Sequence, residues 1–238
     1  MASKPKLRER ARPPTSRELA DIPWLQVLAP ADRLQAEGHL IVSVAEPGDR
    51  ICRVGRPSPY WFGVVTGMLK MSNDTSDGGQ ITYTGLPPGA WFGEGTLLKR
   101  ETFRYNIEAL RRSTVAGLPT DVFLQLLDRS IPFNRFVMNQ INERLGQFIA
   151  AREIDRHNHP DARVARNLAA LFHPVLYPGV GQWLRITQQE LGYLVGLSRQ
   201  RVNQALAALQ EAALIRIEYG GVRVLDLDQL RRYAPPTT

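Results

Sequence analysis

The sequence is poor in the residues that hold disulfides and metals. Its 238 residues include one cysteine, Cys52, and four histidines. A single cysteine excludes a disulfide framework within the chain, a cluster held by several Cys ligands and a Cys-based structural zinc site. His157 and His159 stand just before Pro160, where we predict a hinge, and no carboxylate-histidine spacing matches a zinc motif. We therefore expect no metal site.

Long apolar runs are also missing, so no segment is predicted to cross a bilayer. The N-terminus, MASKPKLRERARPP, is basic but has no apolar core after it, which argues against a secretory signal and favours the cytoplasm. Residues 1–20 carry a net charge of +4 and residues 160–238 one of +3, whereas residues 21–159 are neutral. We predict a disordered basic tail over residues 1–20, and the basic C-terminal part suits phosphate contacts.

A stretch near the C-terminus, TQQELGYLVGLSRQRVNQALAAL, predicts two short helices joined by a tight turn. Thr187 is a good N-cap and Glu190 completes a capping box, so the first helix should begin at Gln188. Gly196 can end that helix, and Ser198 can cap a second one. This spacing is typical of a helix-turn-helix.

The exposed face of the second helix is predicted to carry the side chains Arg199, Gln200, Asn203 and Gln204. Their paired donors and acceptors match the edges that guanine and adenine present in the major groove. No acidic residue occurs between Ser198 and Gln210, as suits an approach to phosphates. We predict that this helix reads double-stranded DNA.

Between His39 and Glu94 short apolar segments alternate with turns, which predicts an antiparallel barrel or sandwich. From residue 121 to 155 the pattern becomes helical, with apolar residues at alternating spacings of three and four. This spacing predicts a dimer seam, although a helix buried in its own monomer would show the same pattern. The seam residues are Met138, Ile141, Leu145 and Phe148.

At the C-terminus, LIRIEY-GG-VRVLDL predicts a hairpin around the Gly-Gly pair, and hence a wing.

The segment FGEGTLLKRETFRYNIEA, with the upstream EPGD, VTGMLKMS and PPGAWFGE, resembles the cyclic-nucleotide-binding β-roll. The resemblance implies that Gly93 and Glu94 begin a short phosphate-binding helix, that Glu94 binds ribose and that Arg104 pairs with the phosphate. Tyr105 stands where cyclic AMP binders have a small hydroxyl, and Phe148 lies near the family's adenine-recognising position. A Glu94–Arg104 pair that only ties the pocket together is an equal alternative.

Residues 20–232 as a whole resemble the Crp/Fnr superfamily of bacterial transcription regulators. The implied fold is α+β: an antiparallel, jelly-roll-like β-roll sensor domain (21–130), a long dimerisation helix (131–157) and a C-terminal winged helix-turn-helix (158–238). By this resemblance Arg199, Gln200 and Gln204 would read bases, while Thr187, Ser198 and Arg201 would contact phosphates.

The resemblance also implies a homodimer on a pseudo-palindromic operator, with RNA polymerase as a further partner. We expect no catalytic residues, because GEGTLLK lacks the GK[ST] ending of a phosphate loop and no nucleophile-base pair is evident. The effector stays open between a cyclic nucleotide, a cyclic dinucleotide and a small organic acid. The alternative is an effector-independent regulator with a vestigial β-roll.

Overall fold

The computed structural model of the chain describes residues 10–154 and 159–234. The helices are α1 (Ser16–Ala20), α2 (Pro30–His39), α3 (Glu94–Lys99), α4 (Thr120–Arg129), α5 (Ile131–Ile154), α6 (Pro160–Ala170), α7 (Gln188–Val195), α8 (Arg199–Glu211) and α9 (Leu227–Arg232), with a 3₁₀ turn at Pro23–Val27. The strands are β1 (Ile41–Ala45), β2 (Arg50–Cys52), β3 (Tyr60–Thr66), β4 (Leu69–Asp74), β5 (Gln80–Leu86), β6 (Trp91–Phe92), β7 (Asn106–Ala109), β8 (Ser113–Pro119), β9 (Trp183–Arg185), β10 (Ile215–Glu218) and β11 (Gly221–Val224).

Strands β1 to β8 form two antiparallel sheets, which together with α3 we call the roll. One sheet has the strand order β1-β8-β3-β6 and the other β2-β7-β4-β5. Alternate residues of β3 serve two different cores, as the pleat of a strand requires. Phe62 and Val64 lie between the sheets, whereas Trp61 and Val65 pack against the helices outside. The predicted antiparallel β-roll is confirmed.

A cluster of buried aromatic rings joins the roll to α5. The ring centroids of Trp61 and Trp91 are 4.5 Å apart, and those of Trp24 and Phe133 are 5.4 Å apart. Gly63 makes room for this cluster, because a Cβ there would come within 2.3 Å of the Trp91 ring. Since Phe133 belongs to the first turn of α5, the cluster fixes the start of that helix on the roll.

The N-terminal segment departs from the prediction of disorder up to residue 20. Arg12 and Val42 exchange two backbone hydrogen bonds of 2.9 and 2.8 Å, which pair the segment with the edge strand β1. Thr15 caps α1, and Glu18 completes a capping box while pairing with Arg12 at 2.6 Å. This ion pair helps to lower the pKa of Glu18 to about 2. Composition alone misses such edge pairing, so the prediction is wrong for residues 10–20; residues 1–9 lie outside the described residues.

Helix α5 has one side on the roll and another exposed. Phe133 and Val137 are buried, and Ile141 packs partly against the same core. Met138 and Leu145 are 58% and 57% exposed. The monomer therefore covers part of the predicted seam and leaves the rest uncovered.

The C-terminal module, residues 159–234, packs α6 to α9 around a sheet of order β10-β11-β9. The hairpin between β10 and β11 turns at Tyr219 and Gly220, one residue earlier than the predicted Gly-Gly turn. Gly220 has a φ of +74°, which favours glycine, whereas Gly221 belongs to β11. A Cβ at Gly221 would come within 2.4 Å of the Leu184 carbonyl oxygen on β9. The two glycines therefore meet two different steric requirements.

The roll and the C-terminal module touch directly. Gly85 of β5 lies so close to the end of α6 and to α7 that a Cβ would come within 2.8 Å of the Leu171 and Leu194 side chains. Of the predicted hinge, residues 157 and 158 lie outside the described residues, while His159 caps α6 and Pro160 is its first residue. In the described residues, no helix combines the length and apolar character that a membrane span needs.

Candidate DNA-binding surface and effector site

The helix-turn-helix has the predicted caps. The Thr187 hydroxyl accepts from the Glu190 N–H at 3.1 Å, and the Glu190 carboxylate accepts from the Thr187 N–H at 2.8 Å. Gly196 ends α7 with a φ of +67°, and the Ser198 hydroxyl accepts from the Arg201 N–H to begin α8. Gly192 adds a requirement that we did not predict. A Cβ there would lie 2.8 Å from the Leu197 carbonyl oxygen, so the turn needs glycine to close.

The outer face of α8 carries the predicted polar residues. Arg199, Gln200, Asn203 and Gln204 are exposed. The opposite face of the helix is buried in the C-terminal module through Val202, Ala205, Leu206 and Leu209. Burial of that face leaves the polar side chains in solvent on one surface.

A glutamine from the first helix joins this surface. Gln188 donates through Nε2 to Asn203 Oδ1 at 2.8 Å, and its Oε1 accepts from Arg199 Nε at 3.4 Å. Gln188 was not among the predicted DNA-binding residues, because its contacts are with a different helix. The short turn brings the first residue of α7 beside the first two turns of α8, and this spacing could have predicted the contact.

The three residues expected to touch phosphates have structural partners within the monomer. Thr187 and Ser198 use their hydroxyl groups as helix caps. Arg201 forms an ion pair of 2.6 Å with Asp161 on α6, and its side chain is 29% exposed. Asp161 is thus a neighbour of the proposed DNA surface that the sequence did not reveal.

In the roll, the structure replaces the expected Glu94–Arg104 pair with a different one. Glu94 is 5% exposed and pairs with Arg144 of α5 through Nε at 3.2 Å. Arg144 also donates to the Trp91 carbonyl at 2.6 Å. Arg104 instead turns to solvent, with its side chain 74% exposed and paired with Glu101 at 2.9 Å. The expected pair is wrong because α5 crosses the start of α3 and supplies the nearer cation.

Gly93 and Tyr105 complete this part of the roll. Gly93 precedes α3 with a φ of +97°. Tyr105 is partly buried, packs against Phe103 with 5.7 Å between ring centroids, and hydrogen-bonds to Thr96. Burial first, and then the negative charge of Glu94, raise the pKa of Tyr105 well above its ordinary value. The space that the resemblance gives to a ligand phosphate therefore holds this phenol.

One ion pair links the roll to the helix-turn-helix. Arg111, which follows β7, pairs through Nε with Glu190 Oε1 at 2.9 Å and donates to the Arg185 carbonyl at 2.7 Å. Burial lowers the pKa of Arg111. Glu190 therefore caps α7 with one oxygen and contacts the roll with the other. The sequence indicated the cap but not the link between modules.

Neither the cysteine nor the histidines build a metal site in the described residues. No group of three or more His, Cys, Asp or Glu side chains there could hold a metal ion. Cys52 is buried among apolar residues, and burial raises its pKa. The thiol is thus a packing residue of the roll.

Known proteins share both modules. The family model for the cyclic nucleotide-binding domain matches residues 43–130, and that for the Crp-like helix-turn-helix domain matches residues 162–233. The CRP-like cAMP-activated global transcriptional regulator of Mycobacterium tuberculosis is 28% identical to this chain over 212 residues. The match covers 83% of this chain and 85% of the length of that regulator. Transcriptional regulator SdrP of Thermus thermophilus is 28% identical over 193 residues, covering 79% of this chain and 91% of its own.

The fold has a solved counterpart as well. The structure of FixK2 from Bradyrhizobium japonicum matches with a TM-score of 0.64 at 17% identity, covering 83% of this chain and 98% of that one. The two domain matches follow the order of the two modules, and the relatives span both of them. The chain belongs to the Crp/Fnr family of DNA-binding transcription regulators.

Proposed function

We propose that the chain acts as a homodimer on a pseudo-palindromic operator, which it reads with Arg199, Gln200, Asn203 and Gln204. The observation that carries this proposal is the exposed polar face of α8, whose opposite face is buried. In the major groove, Arg matches guanine, whereas Asn and Gln match adenine. The N-terminal turn of α8 would lie deepest in the groove.

Thr187, Ser198 and Arg201 are the proposed phosphate contacts. Both hydroxyl groups lie at helix N-termini, where backbone N–H groups favour anions. Arg201 would have to share its guanidinium between a phosphate and Asp161, with which it pairs at 2.6 Å. We therefore expect Arg201 to contribute less to affinity than Arg199.

Helix α5 is the proposed dimer seam. Met138, Leu145 and Phe148 are 58%, 57% and 36% exposed and recur along one side of the helix, while Ile141 already packs partly against the roll. Exposed apolar residues at this spacing are typical of a helix that meets a second copy of itself. Such a dimer would place two copies of α8 about 34 Å apart, one turn of DNA.

The dimer can be tested apart from DNA. Leu145→Glu should convert the protein to a monomer in light scattering, because a charge would be buried at the centre of the seam. Asn139→Glu introduces the same charge at an exposed position of α5 outside the seam and should leave the dimer intact. A dimer that survives Leu145→Glu would place the interface elsewhere.

A small effector in the region of the roll is the proposed regulator, with Gly93, Glu94, Arg104 and Tyr105 as its neighbours. The match to the cyclic nucleotide-binding domain and the cAMP-activated relative support a nucleotide. Tyr105 and the Glu94–Arg144 pair argue against the simplest cyclic AMP pose, because they occupy the pocket. The alternative is a regulator that binds DNA without an effector.

We further propose that the protein acts on transcription in the cytoplasm, with RNA polymerase as a partner and no catalytic step of its own. The relatives are transcription regulators, which supports this. Fluorescence anisotropy with genomic fragments at fixed salt tests the function. Specific binding that Arg199→Ala weakens by about 1–3 kcal/mol is expected. Equal affinity for specific and random DNA would contradict the proposal.

A further inference from the structure

The first turn of α8 carries two arginines whose surroundings differ in charge. Arg199 is exposed, and its guanidinium donates to the neutral side chain of Gln188. Arg201, two residues later, meets a carboxylate, because its Nη1 lies 2.6 Å from Oδ1 of Asp161. Both cations belong to the end of α8 that is proposed to enter the groove. Only the charge of Arg201 is offset by an acidic partner that the structure shows.

Asp161 lies on the same side of the C-terminal module as the proposed DNA surface. It is the second residue of α6, and its ion pair with Arg201 brings the N-terminal ends of α6 and α8 together. Gln188, the first residue of α7, reaches this side through its contacts with Arg199 and Asn203. A carboxylate therefore lies on the side of the module that would face the DNA phosphates.

Asp161 and a DNA phosphate would compete for one guanidinium. The Asp161 side chain is 15% exposed and that of Arg201 is 29% exposed, so the pair is largely held within the module. A lone arginine that neutralises a phosphate raises the affinity by releasing counterions. An arginine beside a carboxylate brings no net charge to the phosphates. The pair should therefore contribute little to the sequence-independent part of DNA binding.

From this geometry we infer that Asp161 limits the DNA affinity of the protein by neutralising Arg201. Asp161 is thus a positioning residue, which holds the guanidinium on α6. The inference rests on the proposed function, since it takes α8 as the helix that reads DNA and Arg201 as a phosphate contact. Phosphates carry no sequence information, so Asp161 should lower the affinity for specific and for random DNA by the same factor.

A purely structural role for Asp161 predicts the opposite result. Asp161 lies in the first turn of α6, where a carboxylate stabilises the helix through its dipole. If this were its only role, removing the charge would weaken DNA binding or leave it unchanged. Neutralising Arg201 is the role that predicts tighter binding without Asp161. The sign of the change in DNA affinity therefore separates the two roles.

Fluorescence anisotropy of the full-length protein tests the inference with two duplexes of equal length, one a genomic fragment that it binds specifically and one of random sequence. Asp161→Asn should bind both duplexes about fivefold more tightly at about 50 mM salt. One added positive charge should steepen the salt dependence by about 0.9, so this gain should shrink about 3.5-fold between about 50 and about 200 mM salt. Asp161→Ser removes the same charge with a different side chain and should show the same gain. Asp161→Glu keeps the charge and should bind as the parent does.

Two further variants show whether the gain comes from Arg201. In the double variant Asp161→Asn with Arg201→Ala, the charge gained and the charge lost cancel, so the affinity and its salt dependence should return to those of the parent. Asp228→Asn is the matched control for charge, because it also removes one carboxylate from the C-terminal module. The partner of Asp228 is Arg231 of its own helix, α9. Its removal should change the affinity for either duplex by less than about twofold, since exposed charges away from the DNA are screened.

Unchanged or weaker DNA binding in both Asp161→Asn and Asp161→Ser would overturn the inference. A gain that persists in the double variant would also overturn it, because Asp161 would then not act through Arg201. So would an equal gain in Asp228→Asn, since the total charge of the module would then set the affinity. Failure of the proposed function has a different signature. The parent would then bind the genomic fragment no more tightly than random DNA, while the random duplex would still report the effect of Asp161.

Discussion

Gln188 and Asn203 are joined across the helix-turn-helix by a hydrogen bond of 2.8 Å, from Gln188 Nε2 to Asn203 Oδ1. Its direction follows from a third residue. Arg199 can only donate, and its Nε donates to Gln188 Oε1 at 3.4 Å. The Gln188 oxygen therefore faces Arg199, and its amide nitrogen faces Asn203. Asn203 must accept this hydrogen bond through its side-chain oxygen. Asn203 consequently presents its amide N–H donors to the surface.

Replacing Gln188 with Leu should change which base Asn203 prefers. Adenine offers a paired acceptor and donor, which needs both ends of the amide, whereas guanine offers two acceptors. An unconstrained Asn prefers adenine, but in Asn203 Gln188 holds the oxygen and occupies one of its two lone pairs, which turns the N–H donors outward. We therefore expect Asn203 to favour the acceptors of guanine or thymine O4 over adenine. In Gln188→Leu the amide can turn, and adenine should gain by about 1 kcal/mol at that position. Selection of binding sites from a randomised half-site measures the shift.

Asn203→Ala provides the control for this experiment. It should abolish the preference at the same base pair, and the double variant with Gln188→Leu should behave as Asn203→Ala alone. If the double variant still shows the Gln188→Leu shift, another side chain reads that base. If Gln188→Leu leaves the base preference unchanged while Asn203→Ala alters it, Gln188 does not determine the orientation of the Asn203 amide.

Arg111→Ala should destabilise the contact between the modules. Arg111 and Glu190 have side chains only 17% and 10% exposed, so removing the cation leaves a carboxylate poorly solvated. We expect a loss of about 1–2 kcal/mol in the free energy of unfolding, measured by urea denaturation. Arg112→Ala, next in the chain, removes an exposed pair with Glu46 and should cost less than about 0.5 kcal/mol. A loss for Arg111→Ala no larger than that for Arg112→Ala would show that the link between the modules contributes no more than an exposed ion pair.

The helix-turn-helix could be predicted from sequence because its determinants are local. Thr187, Glu190, Gly196 and Ser198 act within a few residues of themselves, so their spacing carries the caps and the turn. The contact of Gln188 with Asn203 joins residues 15 positions apart and depends on how the two helices cross. Such contacts need the packing of the helices, which a periodic pattern does not contain.

The surroundings of Glu94 in the roll also depend on a long-range contact that a local sequence pattern does not predict. Glu94 and Arg104 are ten residues apart and their types suggested a pair, yet Arg144 lies 50 residues beyond Glu94 and takes that place. Burial decides the outcome. Glu94 is buried, so it pairs with the cation that α5 brings into the interior, while Arg104 can stay solvated. No local pattern around Glu94 records where α5 will cross.

His173 should make stability depend on pH. Its Nδ1 accepts from the Val175 and Leu176 N–H groups, and its Nε2 lies 3.2 Å from Glu143 Oε2. Burial lowers the pKa of His173, although Glu143 opposes the shift. Protonation of Nδ1 would also remove both backbone acceptor contacts. In the unfolded chain His173 takes up a proton as the pH falls through its ordinary pKa of about 6.5, whereas in the folded protein it is still neutral at that pH. The free energy of unfolding therefore decreases as the pH drops below that value.

His173→Asn should flatten this dependence, because the amide oxygen can accept in place of Nδ1 but does not titrate. The measurement is the urea midpoint at several pH values between about 7.5 and about 5.5, compared between variant and parent. The parent should lose more stability over this range than the variant. Parallel pH profiles would show that His173 does not contribute.

Tyr105→Ser should open the roll to a single cyclic nucleotide. The Tyr105 ring packs against Phe103 and lies close enough to the buried Glu94 for that charge to raise its pKa. Its removal should cost on the order of 3 kcal/mol in stability, as large-to-small core changes do, while freeing space beside Glu94 and Arg144. We expect cyclic AMP to bind Tyr105→Ser about tenfold more tightly than the parent in a calorimetric titration, because a small hydroxyl then replaces a bulky ring beside the phosphate.

Tyr105→Phe is the control, because it keeps the volume of the side chain and loses only the hydroxyl. It should bind cyclic AMP as weakly as the parent in the same titration. A gain in Tyr105→Phe would assign the barrier to the hydroxyl, and no gain in Tyr105→Ser would assign it to the Glu94–Arg144 pair.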